Sequence, residues 1–105
     1  MALSFEQQVQ LAADTAFAGR VRQAMITTAV LVMSSSPNAS EGDDAQERHR
    51  RRTRYAVEVL RNPDVMAQGM IKAAVTIEGA SPNNTDAQIT AGIRSLWDAF
   101  SEVVL

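Results

Sequence analysis

The sequence contains no cysteine, one histidine, one tryptophan and few aromatic residues of any kind, 5% of the chain. Without cysteine, disulfide frameworks, thiolate zinc sites and cysteine nucleophiles are all excluded, and the chain must fold on packing alone. His49 is the single imidazole, so a metal site built from several histidines is excluded and a Ser-His-Asp arrangement has one base to draw on. It stands between Arg48 and Arg50 and reads as a surface histidine on a charged helix. Long hydrophobic runs are also missing. The longest, Ala24 to Met33, holds two threonines and falls short of the roughly 20 residues that cross a bilayer. The start, Met1-Ala2-Leu3-Ser4-Phe5-Glu6, lacks a basic segment followed by an apolar one, so no secretory signal is expected and the cytoplasm is the expected place of synthesis. Excess positive charge is lacking too: a net charge of −2 offers no global attraction to nucleic acid or anionic membrane.

Reactive constellations are equally scarce. No glycine-rich phosphate loop is present, and Glu41-Gly42-Asp43-Asp44 lacks the alternating ligands of a calcium loop. Asp43 and Asp44 stand where a helix begins, a place acidic side chains occupy for capping and dipole reasons. The expectation is a protein with no catalytic residues, no metal, no cofactor and no small-molecule substrate.

What the chain does have is aliphatic surface. Hydrophobic residues make up 46%, seventeen of them alanine, which favours thin helices approaching closely. At 105 residues, one domain over 1–105 is expected. Ser4 and Gln7 form a capping-box pattern ahead of Phe5, Val9, Ala12, Ala13, Ala16 and Phe17, and the stripe continues through Val21, Ala24, Met25, Thr28, Leu31 and Val32. The spacing predicts helices over 5–13 and 15–33, or one long bent helix. The β-branched run at 26–33 fits a strand as well, but no second strand is available to pair with it. Residues 34–43 concentrate turn formers and predict a mobile loop. A charged helix over 44–61 carries Ala45, Tyr55, Ala56, Val59 and Leu60, and Asn62-Pro63 stops it. Asn62, Pro63 and Asp64 then open a helix bearing Val65, Met66, Gly69, Met70, Ala73, Ala74 and Ile77, with Ile71 and Val75 adding apolar surface on other sides. A helix apolar nearly all round is expected at the centre of the fold or at a subunit interface. Thr85 and Gln88 make a second capping box before the clean stripe Ile89, Ile93, Leu96, Trp97, Phe100, Val103 and Val104, a helix over about 86–103. The fold class is all-α, a compact bundle of four or five helices, with Phe5, Phe17, Tyr55, Leu60, Met66, Met70, Ile93, Trp97 and Phe100 as core anchors.

One local anomaly stands out: Arg48, Arg50, Arg51, Arg52 and Arg54 place five arginines within seven residues. Asp44 lies four residues before Arg48 and Glu47 four before Arg51, the orientation that supports a helix by about 0.2–0.5 kcal/mol per pair. The segment therefore reads as a solvated, internally paired helix, as a protein contact, or as a nucleic-acid contact. Asp43, Asp44, Glu47 and Glu58 weigh against the last. Together with Ile71 and Val75, the five arginines are the candidate interface residues.

The order Phe17, Arg20-Val21, Ala24, then His49, Arg52, Ala56, Val59-Leu60, Pro63, then Asp86, Ile89, Ile93, Trp97 resembles that of short helical virion proteins of tailed bacteriophages, encoded among head and tail structural genes. This resemblance implies a structural component of the virion, most simply a head–tail connector subunit packing with copies of itself as a ring between portal and tail. A capsid-associated minor or decoration protein is the alternative within that class. A small nucleic-acid-binding regulator using the 44–61 helix is the alternative from another class.

Overall fold

The computed structural model describes residues 15–76 and 84–102, which form four α-helices and one short 3₁₀ helix, with no strand among the described residues. Helix α1 (Thr15–Ser34) buries Phe17, Val21, Ala24, Met25 and Thr28 of the predicted stripe, and Ala29 beside them, but Val32 is only half-buried and Ala16 and Leu31 are exposed, because the covering helices do not reach that part of its circumference. The 26–33 run is helical. Thr28 donates its hydroxyl to the Ala24 carbonyl at 2.8 Å, which lets a β-branched polar residue sit in the core with its hydrogen bond made inside the helix. The expected 5–13 helix, its capping box and Phe5 lie outside the described residues.

After α1 the chain has more local structure than its composition predicts. Asn38 accepts hydrogen bonds from the Ser40 amide at 3.1 Å and the Ser40 hydroxyl at 2.7 Å, starting a 3₁₀ helix over Ala39–Asp44. At Gly42 the backbone turns to φ +78°, the left-handed region that glycine enters without a Cβ clash. This turn delivers the chain to α2 (Ala45–Arg61), where Asp44 occupies the N-cap position without a side-chain cap bond.

The stop at Asn62 is as the sequence requires. The residue before a proline is forced out of the α region, and Asn62 is extended at φ −113°, ψ 108°. Its side chain then accepts from the Asp64 amide at 3.0 Å and caps α3 (Pro63–Thr76). Helix α4 (Asp86–Ser101) opens with both bonds of the predicted capping box, Gln88 N–H to Thr85 Oγ1 at 3.2 Å and Thr85 N–H to Gln88 Oε1 at 2.8 Å.

All four helices meet in one core. Ile89, Ile93, Trp97 and Phe100 of α4 face Phe17, Val21 and Met25 of α1, Tyr55, Ala56 and Val59 of α2, and Val65, Met66 and Ala73 of α3. The rings of Tyr55 and Trp97 meet edge-on, centroids 4.9 Å apart and planes at 67°, a favoured aromatic geometry. Gly69 makes room for this arrangement: a Cβ there would lie 2.4 Å from Met25 Cε and 2.8 Å from the Tyr55 hydroxyl.

Two expectations need correction. The 63–77 helix does not take the centre of the bundle, one of its two expected places: α1 packs most extensively against α2 and α4, while α3 contacts them along one side only, through Val65, Met66, Gly69, Ala73 and Ala74. Small residues bring α3 close, but they leave much of its circumference outside the core. Leu60 is not a core anchor but 43% exposed. It sits about 100° around α2 from Val59, which is buried, and that rotation carries it to the surface. Phe17, Tyr55, Met66, Ile93, Trp97 and Phe100 are buried, and Met70 is half-buried against the core.

Candidate functional site

The arginine segment divides by direction once it is wound into α2. Arg52 points inward along the junction of three elements. Its guanidinium donates to Glu41 of the 3₁₀ turn, Nη1 to Oε1 at 2.9 Å and Nη2 to Oε2 at 3.0 Å. It also donates to Asp98 of α4, with Nη2 to Oδ2 at 2.7 Å and Nε to Oδ1. The Arg52 carbonyl accepts from Trp97 Nε1 at 3.2 Å. A planar fork suits two carboxylates at once, which is why an arginine rather than a lysine fits here. Asp98 first and Glu41 second hold the Arg52 guanidinium firmly protonated. The Arg52 and Arg48 hydrogen bonds hold the Glu41 carboxyl below its ordinary 4.5. Burial alone pushes the neighbouring Tyr55 hydroxyl up to about 12.

Arg52, named from sequence as an interface residue, is thus engaged within its own chain. Arg48 turns to Glu41 at 3.2 Å rather than to Asp44. Glu47 pairs with Arg51 at 3.7 Å, as the four-residue spacing predicts, and also with Arg50 at 3.2 Å. Arg54 is exposed and has no carboxylate within ion-pair distance among the described residues. His49 is half-buried beside Thr53, whose hydroxyl lies 3.5 Å from Nε2. The described residues contain no group of three or more His, Asp or Glu side chains placed to hold a metal ion. No helix among them is long and apolar enough to cross a membrane.

A second feature is apolar. Arg22, Ile26, Leu60, Arg61, Met66 and Met70 line a groove of about 310 Å³ where α1, the end of α2 and α3 converge. Ile26, Val30 and Met33 follow one another at i, i+4 and i+7, so they form a single stripe leading from this groove along the outer side of α1. Val30 is 49% exposed, Leu31 46% and Met33 44%. Ile71, on the outside of α3, is 47% exposed, whereas the side chain of Val75 lies outside the described residues.

Sequence reasoning found the arginine cluster and Ile71 but missed Glu41 and Asp98 as partners, because neither is a helical neighbour of Arg52. The outer stripe of α1 is missed as well, since the sequence reading places Leu31 on the buried apolar stripe and gives Val30 no place on it. In comparisons with family models, curated proteins and solved structures no match was found, so the functional reading rests on these side chains and their geometry.

Proposed function

We propose that this chain is a non-enzymatic assembly subunit that packs with copies of itself, as the head–tail connector component its sequence resembles. The observation that carries the reading is the exposed apolar side chains Val30, Leu31 and Met33 on α1, together with Leu60 in the α1–α3 groove. Exposed large apolar side chains grouped near an apolar groove mark contact sites, and copies related by a closing rotation would cover them. Small, closely packed helices leave such surface free while keeping a complete core beneath it.

Light scattering on the full chain after size-exclusion chromatography tests the proposal. A defined multimer is expected, and Val30→Glu with Met33→Glu should reduce it to monomers whose helical circular dichroism is intact. A chain that stays monomeric at high concentration overturns the ring. If that monomer binds assembled capsids, the decoration reading replaces it. Proteomic detection of the chain in purified particles supports the virion assignment, and its absence from them removes it.

A further inference from the structure

Pro37, Gln46, His49, Arg50, Thr53 and Arg54 line an open cleft of about 480 Å³ between α2 and the linker that follows α1. The five α2 residues stand at i, i+3, i+4, i+7 and i+8 and therefore share one face of the helix. Arg50 and Arg54 project from that wall one turn apart, about 6 Å along the axis. No carboxylate is among the lining residues. Arg54 differs from the rest of α2: Arg48, Arg50, Arg51, Arg52 and Arg61 each have a carboxylate within ion-pair distance. Arg50 divides Glu47 with Arg51, and Arg54 has none among the described residues.

With Glu47 divided between Arg50 and Arg51 and no carboxylate at Arg54 among the described residues, this wall of the helix carries positive charge that a bound anion would balance. The surrounding groups suit an anion with several acceptor oxygens. Gln46 offers amide N–H donors, Thr53 a hydroxyl, and His49 a ring nitrogen, with the Thr53–His49 contact long enough at 3.5 Å for both to turn toward a ligand. Two planar forks and these neutral donors exceed what a carboxylate with two oxygens can accept, whereas a phosphoryl group presents three.

We propose that this cleft binds a phosphoryl oxyanion between Arg50 and Arg54, a site separate from the apolar groove and independent of self-assembly. Its volume falls in the range of small-ligand pockets and admits a group larger than phosphate attached to it. Glu47 and Glu58 flank the same helix and the chain is net negative, so the site takes one phosphoryl group rather than a tract of them.

The test is titration of the isotopically labelled full chain with inorganic phosphate at low ionic strength, reading backbone amide shifts, with chloride at equal ionic strength as reference. Saturable shifts confined to residues 46–54 are expected. Arg54→Gln should weaken the affinity at least about tenfold, the scale of a lost charge-assisted contact. Arg94→Gln, on an exposed part of α4, should leave it unchanged. Shifts that do not saturate, or equal weakening by both variants, overturn the site, since either outcome means general screening. Parallel titrations with a phosphomonoester and with a short DNA strand distinguish the source. Arg54-dependent binding of the monoester identifies a small phosphorylated molecule, whereas binding limited to the strand, whose phosphodiesters present only two free oxygens each, overturns the three-oxygen site. Strand binding indifferent to Arg54 overturns the proposal.

Discussion

Arg52 and Arg54 lie two residues apart on one helix and do opposite things. Arg52 ties the 3₁₀ turn and α4 to α2 through Glu41 and Asp98, while Arg54 faces an acid-free cleft with no carboxylate in range among the described residues. The roughly 200° between positions i and i+2 of a helix puts one guanidinium against the bundle and the other in solvent. The inner position is an element of the fold, and the outer one is available for contact. Composition counts them as equal members of a basic cluster, and only the packing separates them.

The largest effect that can break the inner side is loss of Trp97. Its ring packs edge-on against Tyr55, and its indole N–H is bonded to the Arg52 carbonyl, so truncation opens a cavity and also removes that bond. Trp97→Ala should cost about 3–5 kcal/mol, much of the stability of a domain this size. Loss of the cooperative thermal transition is the expected readout. Emission from Trp97 should be blue-shifted already in dilute monomer. A folded variant whose only defect is failure to assemble would move Trp97 from the core to an interface.

A smaller loss is expected at Arg52. Arg52→Ala removes contacts to two carboxylates that are themselves partly exposed, so solvent screening holds the effect to roughly 1–2 kcal/mol despite the quality of the geometry. Arg52→Lys should recover only part of it, because an ammonium cannot present a fork to both acids. Full recovery by lysine, measured by urea denaturation, would reduce the clamp to simple charge proximity.

How far the sequence foretells this arrangement depends on the range of the interaction. The starts of α3 and α4 are legible because Asn62-Pro63 and Thr85…Gln88 act on backbone amides two or three residues away. The α4 stripe is legible because Ile89, Ile93, Trp97 and Phe100 repeat at helical spacing. The Arg52–Asp98 bridge spans 46 residues, and no local pattern reports it. Leu60 misleads for a related reason. A leucine beside Val59 looks like core until the neighbouring helix is seen to cover only one of them. The cleft was half visible: positions 46, 49, 50, 53 and 54 share a face by arithmetic, but the wall at Pro37 comes from the fold.

Acid should weaken the inner clamp in a defined direction. Glu41 binds a proton less readily in the folded chain than its ordinary value of 4.5, so the unfolded state takes up more protons between the two values. The contribution of Glu41 to stability is therefore complete above about pH 4.5 and is lost as pH falls through the lowered folded value. Thermal melts of the parent and of Glu41→Gln should differ by a small amount at neutral pH and converge in acid. A difference that persists unchanged into strong acid would mean that Glu41 acts through packing rather than charge.

The smallest effect is the one that sharpens the comparison most. Arg54→Gln should change stability by no more than about 0.5 kcal/mol, because the side chain is exposed and has no ion-pair partner among the described residues. Relief of repulsion with Arg50 could even raise the melting temperature slightly, and that gain should be largest at low salt, where screening over about 10 Å or more is weakest. Melting curves of Arg52→Gln and Arg54→Gln at low and high salt measure the contrast directly. Arg52→Gln should lose stability at both salt levels, since its contacts are short and partly buried, whereas Arg54→Gln should track the parent at high salt. A loss at Arg54 as large as that at Arg52 would place Arg54 in the structural framework and end the division of the helix into an inner and an outer role.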